Sequence, residues 1–337
     1  MRLSTETVRL DLIHPFRIAR EVSDHKHNVL VRISDGELTG TGEAAPSRYY
    51  GEDAGSVMRA LEKVPPLLGG DPFELEETTD RLASALPSDP AARAAVDIAM
   101  HDLAAQRLGV PLYRWLGLDP AKTPVTSFTI GIDEPATVRR KVREAAGYPA
   151  LKIKLGSEKD LEIMRTIRDE TDARIRIDAN GGWTSDQAVE MVGRLSEFGV
   201  ELVEQPLPPG SPADWHRVRE AASMPVFADE SVLVSPDVPA MAGLVDGVNI
   251  KLMKCGGVRE ALRLIHTARA HGMGVMIGCM IETSVAITAA AHLSPLVDYA
   301  DLDGNLLIAN DPFSGAAVRQ GRLVLPEEPG IGIVPRS

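Results

Sequence analysis

Cysteine is scarce in this sequence: Cys255 and Cys279 are the only two among 337 residues, and they do not form a Cys-x-x-Cys pair. Two cysteines cannot build a disulfide framework, which excludes the class of small disulfide-stabilised secreted proteins. Free thiols are typical of a reducing compartment. The sequence therefore predicts a cytoplasmic protein.

Long apolar runs are missing as well. The nonpolar run Gly272–Ile281 is too short for a membrane-spanning helix, which needs about 20 residues. Segment 1–16 lacks a basic stretch followed by the apolar stretch of about 7 to 15 residues that marks a secretory signal. We expect neither a membrane anchor nor an export signal.

Basic residues are outnumbered, with 36 Lys and Arg against 48 Asp and Glu, which gives a net charge of −12. This balance argues against nucleic acid or an anionic membrane as a partner, but it allows a small molecule in a locally basic pocket. With 44% hydrophobic residues, the chain can bury a substantial core in one large or two unequal domains.

Short apolar runs that end in a charged residue recur along the second half of the chain. Their final residues are Lys154, Asp178, Glu204, Asp229 and Lys251, separated by steps of 24, 26, 25 and 22 residues. Such a period matches one strand plus one helix, repeated. Three more strand candidates continue the series: Val125–Ile130, Val275–Cys279 and Tyr299–Asp303.

Eight strands with helical patterns between them predict a closed parallel barrel whose active site lies at the carboxyl ends of the strands. After Asp303 there is no room for an eighth helix of the usual length. We therefore predict an α/β fold, a (β/α)7β modified TIM barrel over residues 121–304. Residues 1–120 predict an α+β capping domain, joined by the C-terminal tail 305–337.

Within the capping domain the patterns predict an antiparallel meander followed by helices. The predicted strands are Val8–Leu12 and Asn28–Ser34, with a third after 37–42, and the predicted helices are Ser56–Leu67, Glu74–Leu86 and Pro90–Leu108. Two charged or aromatic segments, Ile18–His27 and Ser47–Asp53, are expected to be loops that cover the strand ends of the barrel.

Three acidic residues end consecutive barrel strands, which brings the carboxylates of Asp178, Glu204 and Asp229 to one point. Converging carboxylates stay ionised when a cation neutralises them, and oxygen ligands suit Mg2+, or alternatively Mn2+. The alternative is that each acid pairs with a local lysine. Asn180, two residues after Asp178, is expected to order water or ligand beside the metal.

Lys152 and Lys154 are two apart on one strand, so both enter the barrel lumen from the same side, and Lys251 enters from across it. Lys254 is a competing choice for Lys251, but it lies in the loop before two glycines. A cation and a second lysine should lower a lysine pKa toward that of a general base. Bases on two faces suit removal of a proton beside a carboxylate and its return from the other side, through an enediolate held by the metal and one lysine.

The strand motifs KIK, DAN, EQP, ADES and NIKLMKCGG resemble the enolase superfamily in its muconate-lactonizing-enzyme-like subgroup, and the resemblance covers nearly the whole chain. The TGEA turn at Thr41–Ala44 and the helix AVDIAMHDL at Ala95–Leu103 resemble its capping domain. The resemblance implies a homo-oligomer. It also implies metal ligation by Asp178, Glu204 and Asp229, acid/base roles for Lys154 and Lys251, and enolate stabilisation by Lys152.

The last strand distinguishes among the reactions of that subgroup. Asp301 and Asp303 resemble the DxD motif of the dipeptide epimerases, most like the alanyl-glutamate epimerases, where the motif binds the amino terminus of the dipeptide. The resemblance implies a Mg2+-dependent enzyme that inverts the α-carbon of the C-terminal residue of an L,L-dipeptide. The alternatives are N-acylamino-acid racemase, o-succinylbenzoate synthase and muconate cycloisomerase.

The resemblance departs at the capping loop, where an alanyl-glutamate epimerase is expected to carry an arginine for the substrate's side-chain carboxylate. Here Arg20 is followed by EVSD at 21–24, and this acidic character favours a neutral or cationic second residue. Arg20, Lys26 or Arg48 could replace the missing arginine. The predicted substrate-binding residues are Asp301, Asp303, Arg20, Asp24, Tyr50, Cys279 and Met280, and Asn180 and Glu230 are predicted to surround the metal ligands.

Two functions from other classes remain compatible with a barrel that contains lysines. A Schiff-base aldolase uses a lysine but needs no metal triad. A binding protein without catalysis needs no bases on two faces. Trapping of a substrate adduct with borohydride separates an aldolase from an epimerase, and exchange of substrate protons in D2O excludes a binding protein.

Overall fold

The computed structural model describes residues 1–336, and it begins with an antiparallel sheet of order β1-β2-β3. Its strands are β1 Arg2–Ile18, β2 Glu21–Ser34 and β3 Thr39–Ala44. The β1–β2 pairing runs from Arg2 opposite Ser34 to Ile18 opposite Glu21, with a register shift between Asp11 and Phe16. These strands contain the two predicted ones and extend well beyond them.

The segment Ile18–His27 is therefore not a loop, as predicted, but the tip of the β1–β2 hairpin, with Ala19 and Arg20 as its turn. Its charged residues are compatible with a strand because the pairing uses backbone groups and one face of the tip is open to water. The second predicted loop, Ser47–Asp53, contains a short 3-10 helix at Arg48–Tyr50.

Four helices follow this sheet: α1 Ala54–Leu61, α2 Leu75–Ala85, α3 Pro90–Leu108 and α4 Leu112–Trp115. The predicted helix Ser56–Leu67 ends early, at Leu61, and residues 65–67 form a separate 3-10 turn that begins with two prolines. Proline cannot continue a helix because it lacks the backbone N–H donor. Helix α3 agrees with its prediction and ends at Leu108, followed by Gly109 with a left-handed φ of 68°.

Helix α3 packs directly on β3 because that strand carries glycines at the contact. A Cβ atom on Gly42 would lie 1.9 Å from the backbone oxygen of Ala95, and one on Gly40 would lie 2.0 Å from that of Ala99. No other residue type fits such an approach. The contact holds the sheet of the capping domain against its central helix.

Eight parallel strands form the second sheet, in the order β11-β10-β9-β8-β7-β6-β5-β4. Their bounds are β4 Phe128–Ile130, β5 Ala150–Lys154, β6 Arg174–Asp178, β7 Val200–Glu204, β8 Val226–Ala228, β9 Gly247–Lys251, β10 Gly274–Gly278 and β11 Tyr299–Asp301. A parallel bridge between Thr126 and Ala300 joins the two edges and closes the ring. The predicted eight-strand barrel is confirmed.

The helices between the barrel strands are α5 Pro135–Glu144, α6 Asp160–Arg168, α7 Ser185–Leu195, α8 Pro212–Ala221, α9 Val238–Met241, α10 Leu252–Cys255, α11 Val258–Ala270 and α12 Ser284–Ala291. After β11 the chain forms a 3-10 turn at Gly304–Leu306 in the place of an eighth helix. The short strands β12 Phe313–Ser314, β13 Ala317–Arg319, β14 Arg322–Val324 and β15 Val334–Pro335 complete it. The predicted (β/α)7β architecture is thus confirmed.

The C-terminal segment returns to the first domain. Ile13 N donates to Leu307 O, Ala309 N donates to Asp11 O, and Ile331 N donates to Asp102 Oδ1. Within residues 1–336, every helix is either too short or too polar to cross a bilayer.

Side chains alternate between the two faces of each barrel strand, and this alternation brings the charged residues into one cavity. In β5 all five residues are buried; Leu151 and Ile153 belong to the apolar core, whereas Lys152 and Lys154 line a cavity at the carboxyl end of the barrel. Because successive side chains of a strand point to opposite faces, the lumen receives the charged residues. Charge buried at this depth is costly unless it is paired.

Candidate active site

The carboxylates of Asp178, Glu204 and Asp229 converge at the ends of β6, β7 and β8, as predicted. One oxygen from each residue lies within 4.8 Å of the others, and all three side chains are fully buried. Asp178 and Glu204 are the last residues of their strands, whereas Asp229 follows the last residue of β8. Parallel strands end at one edge of the sheet, and that is why residues so distant in sequence meet here.

The triad fits a hard divalent cation. Glu204 Oε2 is buried without a hydrogen-bond partner among residues 1–336, although Lys152 Nζ lies 2.7 Å away outside hydrogen-bond geometry. Burial raises the pKa of Glu204, and the charge of Asp178 raises it further. Three buried carboxylates with an unused oxygen are the donor set that Mg2+ binds. The predicted alternative, pairing with local lysines, also occurs here, since Lys154 and Lys251 each contact one of the acids.

Lys154 and Lys251 face one another across the barrel. They lie on β5 and β9, which are four strands apart in either direction around the closed ring. Lys154 Nζ lies 2.6 Å from Asp178 Oδ2, and Lys251 Nζ lies 2.7 Å from Asp229 Oδ2. Both line the same cavity. The geometry thus places one amine on each side of the carboxylate cluster.

Lys152 lies at the centre of the cluster, where its Nζ is 2.6 Å from Asp301, 2.7 Å from Glu204 and 3.1 Å from Asp178. Burial lowers the pKa of Lys152, but these carboxylates raise it more, and the net pKa is well above the ordinary value. This lysine is a fixed positive charge, which suits stabilisation of an anion rather than proton transfer.

The sequence predicts a lowered lysine pKa, but the protein groups around Lys251 raise it instead. Burial lowers the pKa of Lys251, but the neighbouring carboxylate of Asp229 raises it above the ordinary value. The prediction differs because the sequence pattern shows that the lysines converge but does not show which carboxylate each lysine contacts. An opposite charge in contact stabilises the ammonium form.

Lys254, the competing candidate, is engaged elsewhere. Its Nζ donates to the carboxylate and the backbone oxygen of Asp229, to Val232 O at 3.2 Å and to Asn249 O at 3.0 Å. It does not line the cavity that contains Lys154 and Lys251. Of the two lysines, Lys251 is thus the one that enters the cavity, whereas Lys254 contacts Asp229 from outside it.

Asp301 and Asp303 both enter the cavity beyond Lys152. Asp301 ends β11, whereas Asp303 lies past the strand at the start of the 3-10 turn. The prediction that both lie on one strand end was therefore wrong for Asp303. Asp301 accepts a hydrogen bond from Ser127 Oγ at 2.7 Å, and Asp303 accepts one from Thr129 N at 2.6 Å. Burial and the charge of Asp301 raise the pKa of Asp303. A ligand ammonium would stabilise the ionised pair.

Asn180 and Glu230 lie beside the candidate metal ligands, as predicted, but Asn180 does not continue the strand that contains Asp178. Asn180 has a left-handed backbone (φ 45°) outside the strand, which lets its N–H donate to Asp178 Oδ1 at 2.8 Å. Glu230 follows Asp229 directly. Asn180 Oδ1 and Glu230 Oε2 are buried, and both lack a hydrogen-bond partner within residues 1–336. Both residues line the cavity.

Arg20, at the turn of the hairpin, contacts these same two residues. Its Nη1 donates to Asn180 O at 2.7 Å, its Nη2 lies 2.5 Å from Glu230 Oε1, and its guanidinium stacks 4.0 Å from the ring centroid of Tyr49. Sequence reasoning placed Arg20 among the substrate-binding residues. Its donors are directed at the barrel, which ties the capping domain to the edge of the carboxylate cluster.

The remaining predicted binding residues divide into two groups. Tyr50, Cys279 and Met280 line the cavity, and burial raises the pKa of the Cys279 thiol well above its ordinary value, so it is a neutral wall residue. Asp24 does not line the cavity: its side chain is 78% exposed and hydrogen-bonded to His25. Alternation along β2 explains this, because Ser23 faces the cavity and the next residue, Asp24, faces the opposite side, at the outer groove.

Four residues of this site were missed from the sequence. Asn249 donates to Glu204 Oε1 at 2.7 Å, and Gln205 Oε1 accepts from Asp229 N at 2.8 Å, so both orient metal-ligand candidates. Ser127 and Thr129 hold the Asp301–Asp303 pair. Asn249 and Lys251 are two apart on β9, as are Ser127 and Thr129 near β4, and this alternation was the available signal.

Two family models match the sequence. The mandelate racemase / muconate lactonizing enzyme N-terminal domain matches residues 3–117, and the enolase C-terminal domain-like model matches residues 136–337. The chain belongs to the enolase superfamily. The family predicted from the strand motifs is therefore confirmed.

The chain is also similar to individual proteins of known name. The chain is 47% identical over 336 residues to the L-Ala-D/L-Glu epimerase of Bacteroides thetaiotaomicron, covering 99% of this chain and 88% of the relative. It is 40% identical to a hydrophobic dipeptide epimerase of Roseobacter litoralis, covering 98% of each chain. The crystal structure of the dipeptide epimerase of Enterococcus faecalis V583 complexed with Mg and L-Leu-L-Tyr superposes with a TM-score of 0.93 at 34% identity, covering 98% of each chain. These relatives are isomerases of amino-acid derivatives, the enzyme class predicted here.

Proposed function

We propose that this chain is a Mg2+-dependent dipeptide epimerase that inverts the α-carbon of the C-terminal residue of an L,L-dipeptide. The observation that carries the proposal is that Lys154 and Lys251, on opposite strands of the barrel, enter one cavity and each contact a different acid of the carboxylate triad. The names of the relatives support the same reaction.

Different residues of the cavity would contact different parts of the dipeptide. Asp301 and Asp303 would bind the free ammonium group, because two carboxylates form strong charge-assisted hydrogen bonds to it. The α-carbon then lies between the amines of Lys154 and Lys251, which remove the proton on one face and return it on the other. A Mg2+ ion held by the triad would supply positive charge beside the substrate carboxylate.

Lys152 would complement this arrangement from within the protein. Its buried ammonium contacts Glu204 and Asp301, so it lies between the metal ligands and the ammonium site. A fixed positive charge in a water-poor cavity stabilises the negative charge that grows on the substrate carboxylate as the α-proton leaves. No proton transfer by Lys152 itself is required.

Isotope exchange in D2O tests the two bases separately. Lys251→Ala is expected to abolish epimerisation while Lys154 still exchanges the α-proton of one stereoisomer, and Lys154→Ala should exchange only the other one. Lys159→Ala is the matched control, since Lys159 follows β5 but is half-exposed and paired with Glu134 outside the cavity. Exchange of both isomers by either single variant would contradict the two-base assignment.

One alternative within the superfamily is an N-acylamino-acid racemase. It is favoured by the hydrogen bonds that Asp301 and Asp303 already accept from Ser127 and Thr129, because an incoming ammonium must share those oxygens. A free amine should nonetheless raise kcat/KM by roughly tenfold or more through a charge-assisted contact. Equal rates on free and N-acetylated dipeptides would favour the racemase.

Three further points belong to the same proposal. The capping domain (1–120 with 305–337) and the barrel (121–304) form one functional unit, since Arg20 of the first contacts Glu230 of the second. The cytoplasmic location, supported by two free cysteines, and the homo-oligomer implied by the resemblance stay predictions.

A further inference from the structure

One wall of the cavity comes from the capping hairpin and carries opposite charges. This hairpin wall consists of Glu21, Ser23 and Lys26, which line both the cavity and the outer groove that adjoins it. Lys26 Nζ forms an ion pair with Glu21 Oε1, and Ser23 Oγ donates to the same oxygen at 2.6 Å. The wall therefore presents a cation and an anion that neutralise each other.

The pair is charged and only partly open to water. Partial burial raises the pKa of Glu21, but the hydrogen bonds from Lys26 and Ser23 lower it more, and the net pKa is below the ordinary value. The Lys26 side chain is 29% exposed and that of Glu21 is 37% exposed. Charges in this position are screened less than at a fully exposed surface, so a substrate group that meets them is affected by their balance.

The hairpin wall is where the side chain of the epimerised residue should lie; this step rests on the proposed function. An α-carbon has four substituents. Its proton points to Lys154 or Lys251, its carboxylate points to the triad at the barrel floor, and its amide nitrogen leads toward Asp301 and Asp303. The fourth direction, away from the floor, leads to the capping domain.

We propose that the Glu21–Lys26 ion pair determines which charge the enzyme accepts on the side chain of the epimerised residue. With the pair intact the wall carries no net charge, so an uncharged side chain binds without breaking it. An acidic side chain must displace Glu21 from Lys26, and a basic one must displace Lys26 from Glu21. Each charged substrate therefore binds less tightly, because its side chain must separate the two members of the ion pair before it can contact one of them.

The two members of the pair should then act in opposite directions. Removing the Glu21 charge leaves Lys26 as an unpaired ammonium, which favours an acidic side chain. Removing the Lys26 charge leaves Glu21 as an unpaired carboxylate, which favours a basic side chain. Removing both restores an uncharged wall.

The test compares paired substrates within one enzyme preparation. kcat/KM is measured for L-Ala-L-Glu against L-Ala-L-Gln and for L-Ala-L-Lys against L-Ala-L-Met, in the wild type, Glu21→Gln, Lys26→Met and the double variant. The wild type should prefer the uncharged member of each pair. Glu21→Gln should raise the Glu/Gln ratio about tenfold, Lys26→Met should raise the Lys/Met ratio about tenfold, and the double variant should return to the wild-type ranking.

Ratios within one preparation do not depend on the fraction of folded enzyme, so a partly unstable variant still gives an answer. Asp24→Asn is the matched control, because Asp24 carries a charge on the same hairpin tip but lies outside the cavity. Unchanged ratios in Glu21→Gln and Lys26→Met, or an equal change in Asp24→Asn, would overturn the inference. If the wild type exchanges the α-proton of no dipeptide, the proposed function fails first, and the inference fails with it.

Discussion

Replacing Arg20 with methionine should weaken Mg2+ binding even though Arg20 is not a candidate metal ligand. The guanidinium donates to Asn180 O at 2.7 Å and pairs with Glu230 Oε1 at 2.5 Å, and both partners lie beside triad residues. Methionine keeps much of the length of the side chain but removes both contacts. Asn180 and Glu230 then lose the group that holds them against the carboxylate cluster.

The magnitude follows from burial. Removing one partner of a buried ion pair costs about 3 to 5 kcal/mol, and a hydrogen bond to a charged group contributes about 1.5 to 3 kcal/mol. The Glu230 side chain is 2% exposed and that of Arg20 is 31% exposed, so water can replace part of the lost contact. We therefore take the lower range, about 1.5 to 3 kcal/mol. Loss of a contact in the shell around a metal site typically lowers metal affinity about 10- to 100-fold, which agrees with that range.

Isothermal titration of metal-free protein with Mg2+ measures this effect without reference to turnover. Arg20→Met should raise the Kd about 10- to 100-fold, Arg20→Lys should lie between it and the wild type, and kcat/KM at saturating Mg2+ should fall less than at low Mg2+. Arg48→Met is the control, since Arg48 lines the outer groove on the same domain. A wild-type Kd in Arg20→Met, or the same loss in Arg48→Met, would refute the reasoning.

Two other perturbations have defined outcomes. Exhaustive chelation should abolish epimerisation, and added Mg2+ should restore it. Asp229→Asn should lose several kcal/mol of transition-state stabilisation. Full activity of that variant with unchanged metal occupancy would contradict the assignment of the triad as the metal site. Burial, and after it the nearby Asp89, raise the pKa of Glu52 to about 7, so the folded state holds a proton that the unfolded state releases near pH 4.5. Its contribution to stability is therefore complete below pH 4.5 and is lost as the pH rises to about 7, by at most about 3 kcal/mol. Urea unfolding should show a smaller decrease between pH 5 and pH 8 in Glu52→Gln than in the wild type, and equal decreases would contradict the raised pKa.

The barrel and its chemistry were predictable because they follow from short-range patterns. A strand exposes its last residue at the carboxyl edge whatever the rest of the chain does, so Asp178 and Glu204 could be placed from spacing alone. Alternation then assigned Lys152 and Lys154 to one face. Charged residues inside apolar runs are rare enough to indicate function.

The capping hairpin could not be predicted in the same way. Strict alternation puts residues five apart on opposite faces of a strand, yet Glu21 and Lys26 form an ion pair. The register shift between Asp11 and Phe16 interrupts the regular pairing at this tip, and such a shift depends on how the two strands meet rather than on local preference. Asp24 was assigned to the substrate site because alternation alone does not say which face of β2 meets the cavity, and in the structure Asp24 lies on the face toward the outer groove.

Adjacent residues of the hairpin thus have separate tasks. Arg20 contacts the barrel beside the candidate metal ligands, whereas Glu21, the next residue, belongs to the hairpin wall. The lysines proposed to move the proton lie on β5 and β9, whose positions are held by the barrel core. A substitution at Glu21 or Lys26 can therefore change the charge of the accepted side chain without displacing Lys154 or Lys251, provided that Arg20 still fixes the hairpin. In this chain the hairpin is therefore the part of the site that can change at least cost to the catalytic cluster.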